Sequence, residues 1–308
     1  MRIVVMGQAA FGAKFLEKTA PGENVVAVYG PPDSPKGKPD PIKEVAIGKN
    51  LPHYAHKSYR NPQVITEFRE LQPDLLVMAF VTAILPTEFL NVPSMGSICY
   101  HPSLLPRHRG ANAINWAVIM GDLKTGLTIF WPDGGIDTGP ILLQKTIDIG
   151  WEDTTGSLYF NHLFPMGIDA LLESVELIKK GAAPRLPQDE AFATYEPICD
   201  DKVAGIDWHE AGAVVYNRVR GCDPQPGAYG VHGGKKIYFY GPKFKLAEHS
   251  HPPGTILACD ESALAIAVRD GILGIAKVRP EGEAKVTALE FFKNATLRVG
   301  DHFFGSNA

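Results

Sequence analysis

Residues 99–110, Cys-Tyr-His-Pro-Ser-Leu-Leu-Pro-Arg-His-Arg-Gly, set two histidines, a thiol and two guanidinium groups directly behind an apolar run. Pro102 offers no backbone donor and disfavours helical dihedrals at His101, so the imidazole is presented from a stiff corner where a strand stops. Downstream, residues 133–139, Asp-Gly-Gly-Ile-Asp-Thr-Gly, set carboxylates in a glycine-rich loop behind a second apolar run. If the two strand ends are neighbours, His101 and Asp137 share a cleft beyond the carboxyl edge of a sheet, where ligands of open α/β folds gather. A histidine that donates a proton beside a carboxylate that orients water suits attack on a carbonyl. Structural readings stand beside these: His101 as a capped loop histidine, Asp137 as an Asx-turn residue. His108 reads as a surface group or one behind the site, and Arg107 and Arg109 as anion binders or partners of acids.

Other chemistries are poorly represented. His53, His56, His162, His249 and His251 lack the spacing of a zinc-binding helix, and Cys99, Cys199, Cys222 and Cys259 form no C-x-x-C pair. Neither a metal nor a disulfide framework is expected, and the thiols fit a reducing compartment. The chain has no Gly-x-Ser-x-Gly for a serine nucleophile. Residues 7–12, Gly-Gln-Ala-Ala-Phe-Gly, follow the first apolar run but lack the middle glycine of a dinucleotide fingerprint. A tight turn is expected there, and no NAD(P) site.

The elements that must position these residues follow from periodicity. Arg2–Gly7, Asn24–Gly30, 74–80 and 95–100 are strand-like apolar runs, with helical spacing at 11–18, 42–49, 61–71 and 111–121. Strands near 127–131 and 141–149 and a long helix over 155–180 complete residues 1–203 as one domain, α/β and Rossmann-like, with a doubly wound, mostly parallel sheet covered on both faces. Beyond it, one helix at 210–220 and strands at 236–240, 254–259, 263–269 and 272–278, separated by Gly and Pro turns, make 204–308 a second, smaller domain, expected to be an OB-like β-barrel. The 308 residues are 45% hydrophobic and 21% charged with a net charge of -4, the composition of a folded, soluble chain without a basic nucleic-acid surface. Met1–Gly7 runs straight into a turn and no run of 18 apolar residues follows, so a cytoplasmic protein is expected, neither exported nor in a membrane.

His-Pro-Ser-Leu-Leu-Pro-Arg-His-Arg-Gly-Ala (101–111) followed by Asp137-Thr138-Gly139-Pro140 resembles the folate-dependent formyltransferase family, and most of all its hydrolase branch, the N-terminal domain of 10-formyltetrahydrofolate dehydrogenase. The likeness extends along the chain through Ile129-Phe130-Trp131, Leu163-Phe164-Pro165-x-Gly167, Ile206-Asp207-Trp208 and Arg220-Gly221-x-Asp223-x-x-Pro226-Gly227-Ala228. It implies a Rossmann-like domain followed by a barrel like that of methionyl-tRNA formyltransferase, with 10-formyltetrahydrofolate as formyl donor. It further implies that His101 and Asp137 are the catalytic pair and that Ala83, Ile84 and Leu85 hold the pterin ring through their main chain. Family members that formylate amines resemble Asn-x-His-x-Ser-Leu-Leu-Pro, the asparagine donating to the developing oxyanion, and Cys99 stands at that position here. A thiol is a weak donor, and losing one oxyanion donor costs about 3–4 kcal/mol where it has been measured in another enzyme class. The hydrolase branch is similar in lacking that asparagine, so hydrolysis to formate and tetrahydrofolate is expected. The alternative is transfer to an amine of methionyl-tRNA, a sugar nucleotide or another small molecule. The loop 32–39 is short and poor in cations beside the basic loop of methionyl-tRNA formyltransferases, so tRNA is not the expected acceptor. The carrier and aldehyde dehydrogenase modules of the dehydrogenase have no counterpart in these 308 residues, and no NADP or phosphopantetheine chemistry is expected of them.

Overall fold

Arg2–Gly7 (β1) takes its strand character from the β-branched Ile3, Val4 and Val5, and the sheet buries every residue past Arg2. The computed structural model describes residues 1–33 and 37–305. After β1 come α1 (Ala9–Thr19), β2 (Asn24–Gly30), α2 (Pro41–Gly48), β3 (His53–Ala55), α3 (Pro62–Glu70), β4 (Leu75–Ala79), α4 (Thr87–Leu90) and β5 (Ser97–His101). Helix starts follow local chemistry. Asp40 and Asn61 accept the N–H of Ile42 and Gln63, each followed by a proline at the first helical position. Asp40 also accepts the Ala9 N–H, tying the turn after β1 to the start of α2. A Cβ on Gly7 would lie 2.6 Å from the Ala79 carbonyl and 3.1 Å from Gly12 Cα, so these two glycines let α1 close onto the sheet.

The chain continues through α5 (Ala113–Ile119), β6 (Lys124–Phe130), β7 (Ile141–Asp148) and α6 (Thr155–Ser157) to a π-helical stretch, Leu158–Leu163, and α7 (Phe164–Lys179). The long helix expected over 155–180 is therefore continuous in sequence but wound differently over Leu158–Leu163. Seven strands form one sheet in the order β3-β2-β1-β4-β5-β6-β7. Pairing is parallel from β3 to β5, but β6 runs antiparallel to β5, with Cys99 opposite Phe130 and His101 opposite Thr128. A parallel partner needs a crossover that returns the chain to the same edge, usually a helix packed on the sheet. The only helix between β5 and β6 is α5, which belongs to a different compact unit.

Two such units are present, Met1–Gly110 with Gly126–Ile147 and Asn161–Tyr195, and Ala111–Thr125 with Asp148–Phe160 and Glu196–Ala308. In the first, the sheet separates two apolar layers. Ile3, Val5, Phe11, Val77, Tyr100 and Leu171 share one side; Met6, Tyr29, Phe68, Met78, Phe89 and Cys99 share the other.

The second unit holds α8 (Asp201–Ala204), α9 (Gly212–Gly221), β8 (Ala228–His232), β9 (Lys235–Leu246), β10 (Ile256–Cys259), β11 (Leu264–Val268), β12 (Gly271–Pro280), β13 (Val286–Thr287) and α10 (Ala288–Asn294). Its antiparallel sheet runs β10-β11-β12-β9-β8, with β13 on β12. Gly233 and Gly234, both at positive φ, make the β8–β9 hairpin turn. The expected OB-like barrel is not closed by strand pairing among the described residues, where the sheet ends at β10 and β8. The tail spans its edges, Phe304 pairing with Val231 of β8 and His302 with Thr255 just before β10. This covers edge groups that would otherwise face solvent. Trp208 is buried beneath the sheet against Phe239 and Phe303. Arg220, also buried, donates to the carbonyls of Gly150 and Asp153, and a Cβ on Gly221 would meet Ile119 and the Asn115 carbonyl.

Candidate active site

His101 is the last residue of β5 and is buried. Its Nε2 lies 2.8 Å from the His108 carbonyl oxygen. A carbonyl only accepts, so Nε2 carries a hydrogen and Nδ1 is the nitrogen turned toward Asp137. Nδ1 stands 3.5 Å from Asp137 Oδ2, within ion-pair contact and longer than a hydrogen bond.

The pair does not form as two neighbouring strand ends. Because β6 is antiparallel, its last residue is level with Cys99, and loop 131–140 must double back to bring Asp137 to His101. Its ends are pinned where the Trp131 N–H donates to the Pro140 carbonyl at 2.9 Å. A Cβ on Gly139 would lie 1.8 Å from the Trp131 carbonyl, so only glycine permits that closure. Asp133 Oδ1 accepts from the Gly135 N–H and the Thr138 hydroxyl. The Asx turn weighed for Asp137 is thus made by Asp133. Asp137 itself adopts φ 55°, and its Oδ2 accepts the Gly110 N–H at 2.7 Å.

Cys99, two residues before His101, lies on the same face of β5. Burial, and secondarily the charge of Asp137, push its thiol far up, so it remains a neutral thiol. Its Sγ–H points back at the Tyr100 carbonyl, 3.6 Å away. Ala83, Ile84 and Leu85 follow β4, which is parallel to β5, so they leave the sheet at the edge where His101 stands. Leu85 is buried in the same apolar layer as Cys99, while Ala83 and Ile84 are exposed, Ile84 at 70%.

His108 is not at the surface. Only 3% exposed, it adopts φ 56°, and it serves His101 through its main-chain carbonyl. Its N–H donates to Thr194 Oγ1 at 2.8 Å. Arg109 pairs with an acid. Its buried guanidinium meets Glu190 at 2.6 and 2.9 Å, the Tyr195 hydroxyl and Gln188, which leaves it no donor for a free anion. Gln188 and Thr194 carry no sequence pattern that marks them as parts of a site, whereas Gly110 lies in the 101–111 motif. Two surface concavities, one lined by Ala10, Lys14, Glu44 and Phe164 and one by Lys145, His162, Pro165 and Asp169, touch neither His101 nor Asp137. Among the described residues no three His, Cys, Asp or Glu side chains are grouped to hold a metal.

An α/β sheet with a buried histidine beside a half-buried carboxylate at its carboxyl edge, followed by a separate antiparallel sheet, defines a class of two-part enzyme. Two family models match, the formyl transferase domain over residues 1–167 and the formyl transferase C-terminal domain over 200–296. The chain belongs to the formyl transferase family. It is 42% identical over 260 residues to human mitochondrial 10-formyltetrahydrofolate dehydrogenase, covering 82% of this chain and 28% of that protein. The mouse cytosolic 10-formyltetrahydrofolate dehydrogenase is 37% identical over 312 residues, 96% of this chain and 34% of that one. This chain therefore spans about a third of those proteins. Methionyl-tRNA formyltransferase of Trichlorobacter lovleyi is 34% identical over 305 residues, 97% of this chain and 96% of that one. Among solved structures, HypX from Aquifex aeolicus in complex with tetrahydrofolic acid shares the fold at TM-score 0.67 and 21% identity, over 95% of this chain and 47% of that one. The sugar 3N-formyl transferase WlaRD shares it at TM-score 0.68 and 16% identity, over 92% and 99%.

Proposed function

We propose that this chain hydrolyses 10-formyltetrahydrofolate to formate and tetrahydrofolate. The observation that carries the reading is the contact of His101 Nδ1 with Asp137 Oδ2, with a thiol two residues upstream where amine-formylating members resemble asparagine. Asp137 orients a water and takes its proton as the oxygen bonds to the formyl carbon. His101, with Nε2 committed to the His108 carbonyl, works through Nδ1. Nδ1 takes over that proton from Asp137, and His101, now an imidazolium, stabilises the tetrahedral oxyanion and passes the proton to N10 as the C–N bond breaks. Cys99 is held as a thiol and turned to a main-chain carbonyl, so it serves neither as nucleophile nor as a strong oxyanion donor. The exposure of Ala83 and Ile84, next to buried Leu85, supports the assignment of 83–85 to the edge of the pterin. We assign catalysis to residues 1–203, with 204–308 as an accessory domain.

The test follows formate and formylated product from 10-formyltetrahydrofolate, with and without amine acceptors. His101→Ala and Asp137→Ala are each expected to lower formate release by about 100-fold or more. Wild-type rates in both variants would refute the assignment. A second reading, transfer to methionyl-tRNA, is favoured by one observation, the likeness to a methionyl-tRNA formyltransferase over nearly the whole of both chains. A formylated product appearing faster than free formate would establish it. Of the 32–39 loop that bears on tRNA, Ser34, Pro35 and Lys36 lie outside the described residues.

A further inference from the structure

Asp137 holds a left-handed backbone without the freedom of glycine, a conformation that persists only where its surroundings impose it. A side chain distant in sequence holds this part of the loop. Gln188 Nε2 donates to the Asp137 carbonyl at 2.8 Å and to the Gly139 carbonyl at 2.7 Å, using both amide hydrogens on one loop. Gln188 Oε1 accepts from Arg109 Nε at 3.1 Å and Nη2 at 2.8 Å. Arg109 is in turn held by Glu190 and the Tyr195 hydroxyl, its side chain wholly buried. The amide therefore has one possible orientation, oxygen to the guanidinium and nitrogen to the loop.

The neighbours of Arg109 grip the same two residues from the other side. The His108 carbonyl takes the hydrogen of His101 Nε2, and the Gly110 N–H holds the Asp137 carboxylate. Three consecutive residues thus act on both members of the pair, the middle one through Gln188.

We infer that Gln188 is a positioning residue for Asp137, an amide bridge by which Arg109 sets the loop that aims the carboxylate at His101. This rests on the proposed function, because it gives the His101–Asp137 contact its purpose. Gln188 touches no reacting atom; it acts through the loop. Placement errors near 1 Å cost about 100-fold in rate, so loss of the bridge is felt in turnover.

The experiment uses Gln188→Glu, which keeps the acceptor for Arg109 but presents no donor to the two carbonyls, and Gln188→Met, which removes both functions. Rates are taken per tetrahydrofolate-binding site titrated in each preparation, so a poorly folding variant is still scored on its intact molecules. Both variants are expected to lose about 10- to 100-fold in kcat for formate release, with KM changed by less than about threefold. Gln188→Glu added to Asp137→Ala is expected to lower the residual rate no further, since the bridge acts only through that carboxylate. Wild-type kcat in Gln188→Glu, or a fully additive loss in the double variant, overturns the inference while leaving the proposed function intact if Asp137→Ala alone is impaired. Wild-type rates in Asp137→Ala and His101→Ala would instead overturn the reading on which it rests.

Discussion

Cys99 carries the sharpest single-residue consequence. Its thiol is buried, neutral and bonded to a main-chain carbonyl, so the position offers a developing oxyanion little. Replacing it by asparagine supplies a strong donor on the same face as His101. Cys99→Asn is expected to raise the ratio of amine formylation to hydrolysis by about tenfold, a fraction of what one oxyanion donor is worth elsewhere. Formate and formyl product measured together with a small amine acceptor read that ratio, and an unchanged ratio would remove Cys99 from the account of acceptor choice. At this scale the sequence was most legible. His101 before Pro102 and Asp137 among glycines were visible as residues able to act on a carbonyl. Gln188 was not, because a glutamine hydrogen-bonded to carbonyls leaves no periodicity, charge pattern or spacing behind.

At the scale of elements, Gly167 shows how a motif glycine can serve packing. It lies in α7 against the sheet, where a Cβ would come within 2.5 Å of the Tyr100 ring and 3.0 Å of Phe11. Those two rings are already stacked at 4.5 Å, and Tyr100 immediately precedes His101. Gly167→Ala is expected to cost about 1–3 kcal/mol by overpacking. It should lower Tm by roughly 2–4 °C per kcal/mol, with turnover falling alongside. Thermal melts beside formate assays check this; an unchanged Tm would mean that α7 can move off the sheet freely. The Arg220-Gly221-x-Asp223 motif is structural too. Arg220 ties the strand-flanking segment 150–153 to α9, and Asp223 accepts the Gly241 N–H. Apolar runs revealed β1, β2, β4 and β5 because a strand covered on both faces is apolar at every position. The reversal of β6 was hidden, since an antiparallel neighbour can carry the same apolar run.

For the whole molecule, two half-buried histidines set the expected pH response of stability. His53 is shifted down by burial first and by Lys43 second, and its Nε2 has no hydrogen-bond partner among the described residues. His302 is shifted down by burial, then by His232 and His209. A folded-state value below the unfolded one means the unfolded chain binds more protons as pH falls through about 6.5, so stability is highest above that pH and declines below it. Melting temperatures at pH 7.5, 6.5 and 5.5 are expected to fall in that order, and His53→Asn with His302→Asn to flatten the trend. A trend of equal slope in the double variant would assign the acid sensitivity to other groups.

By itself the sequence determined the alternation of helices and strands, the lack of zinc-finger or dinucleotide spacing, and the His101–Asp137 candidates. These are properties of residue type and short-range order, set by side-chain shape, proline and glycine dihedrals and hydrophobic periodicity. The tertiary structure alone decided the rest. It reversed β6, doubled loop 131–140 back onto β5, left the second sheet unclosed by strand pairing among the described residues with the tail spanning its edges, and seated Arg109 and Gln188 behind Asp137. Each of these depends on hydrogen bonds between residues far apart in the chain, and such pairings exist only once the fold has brought their partners together.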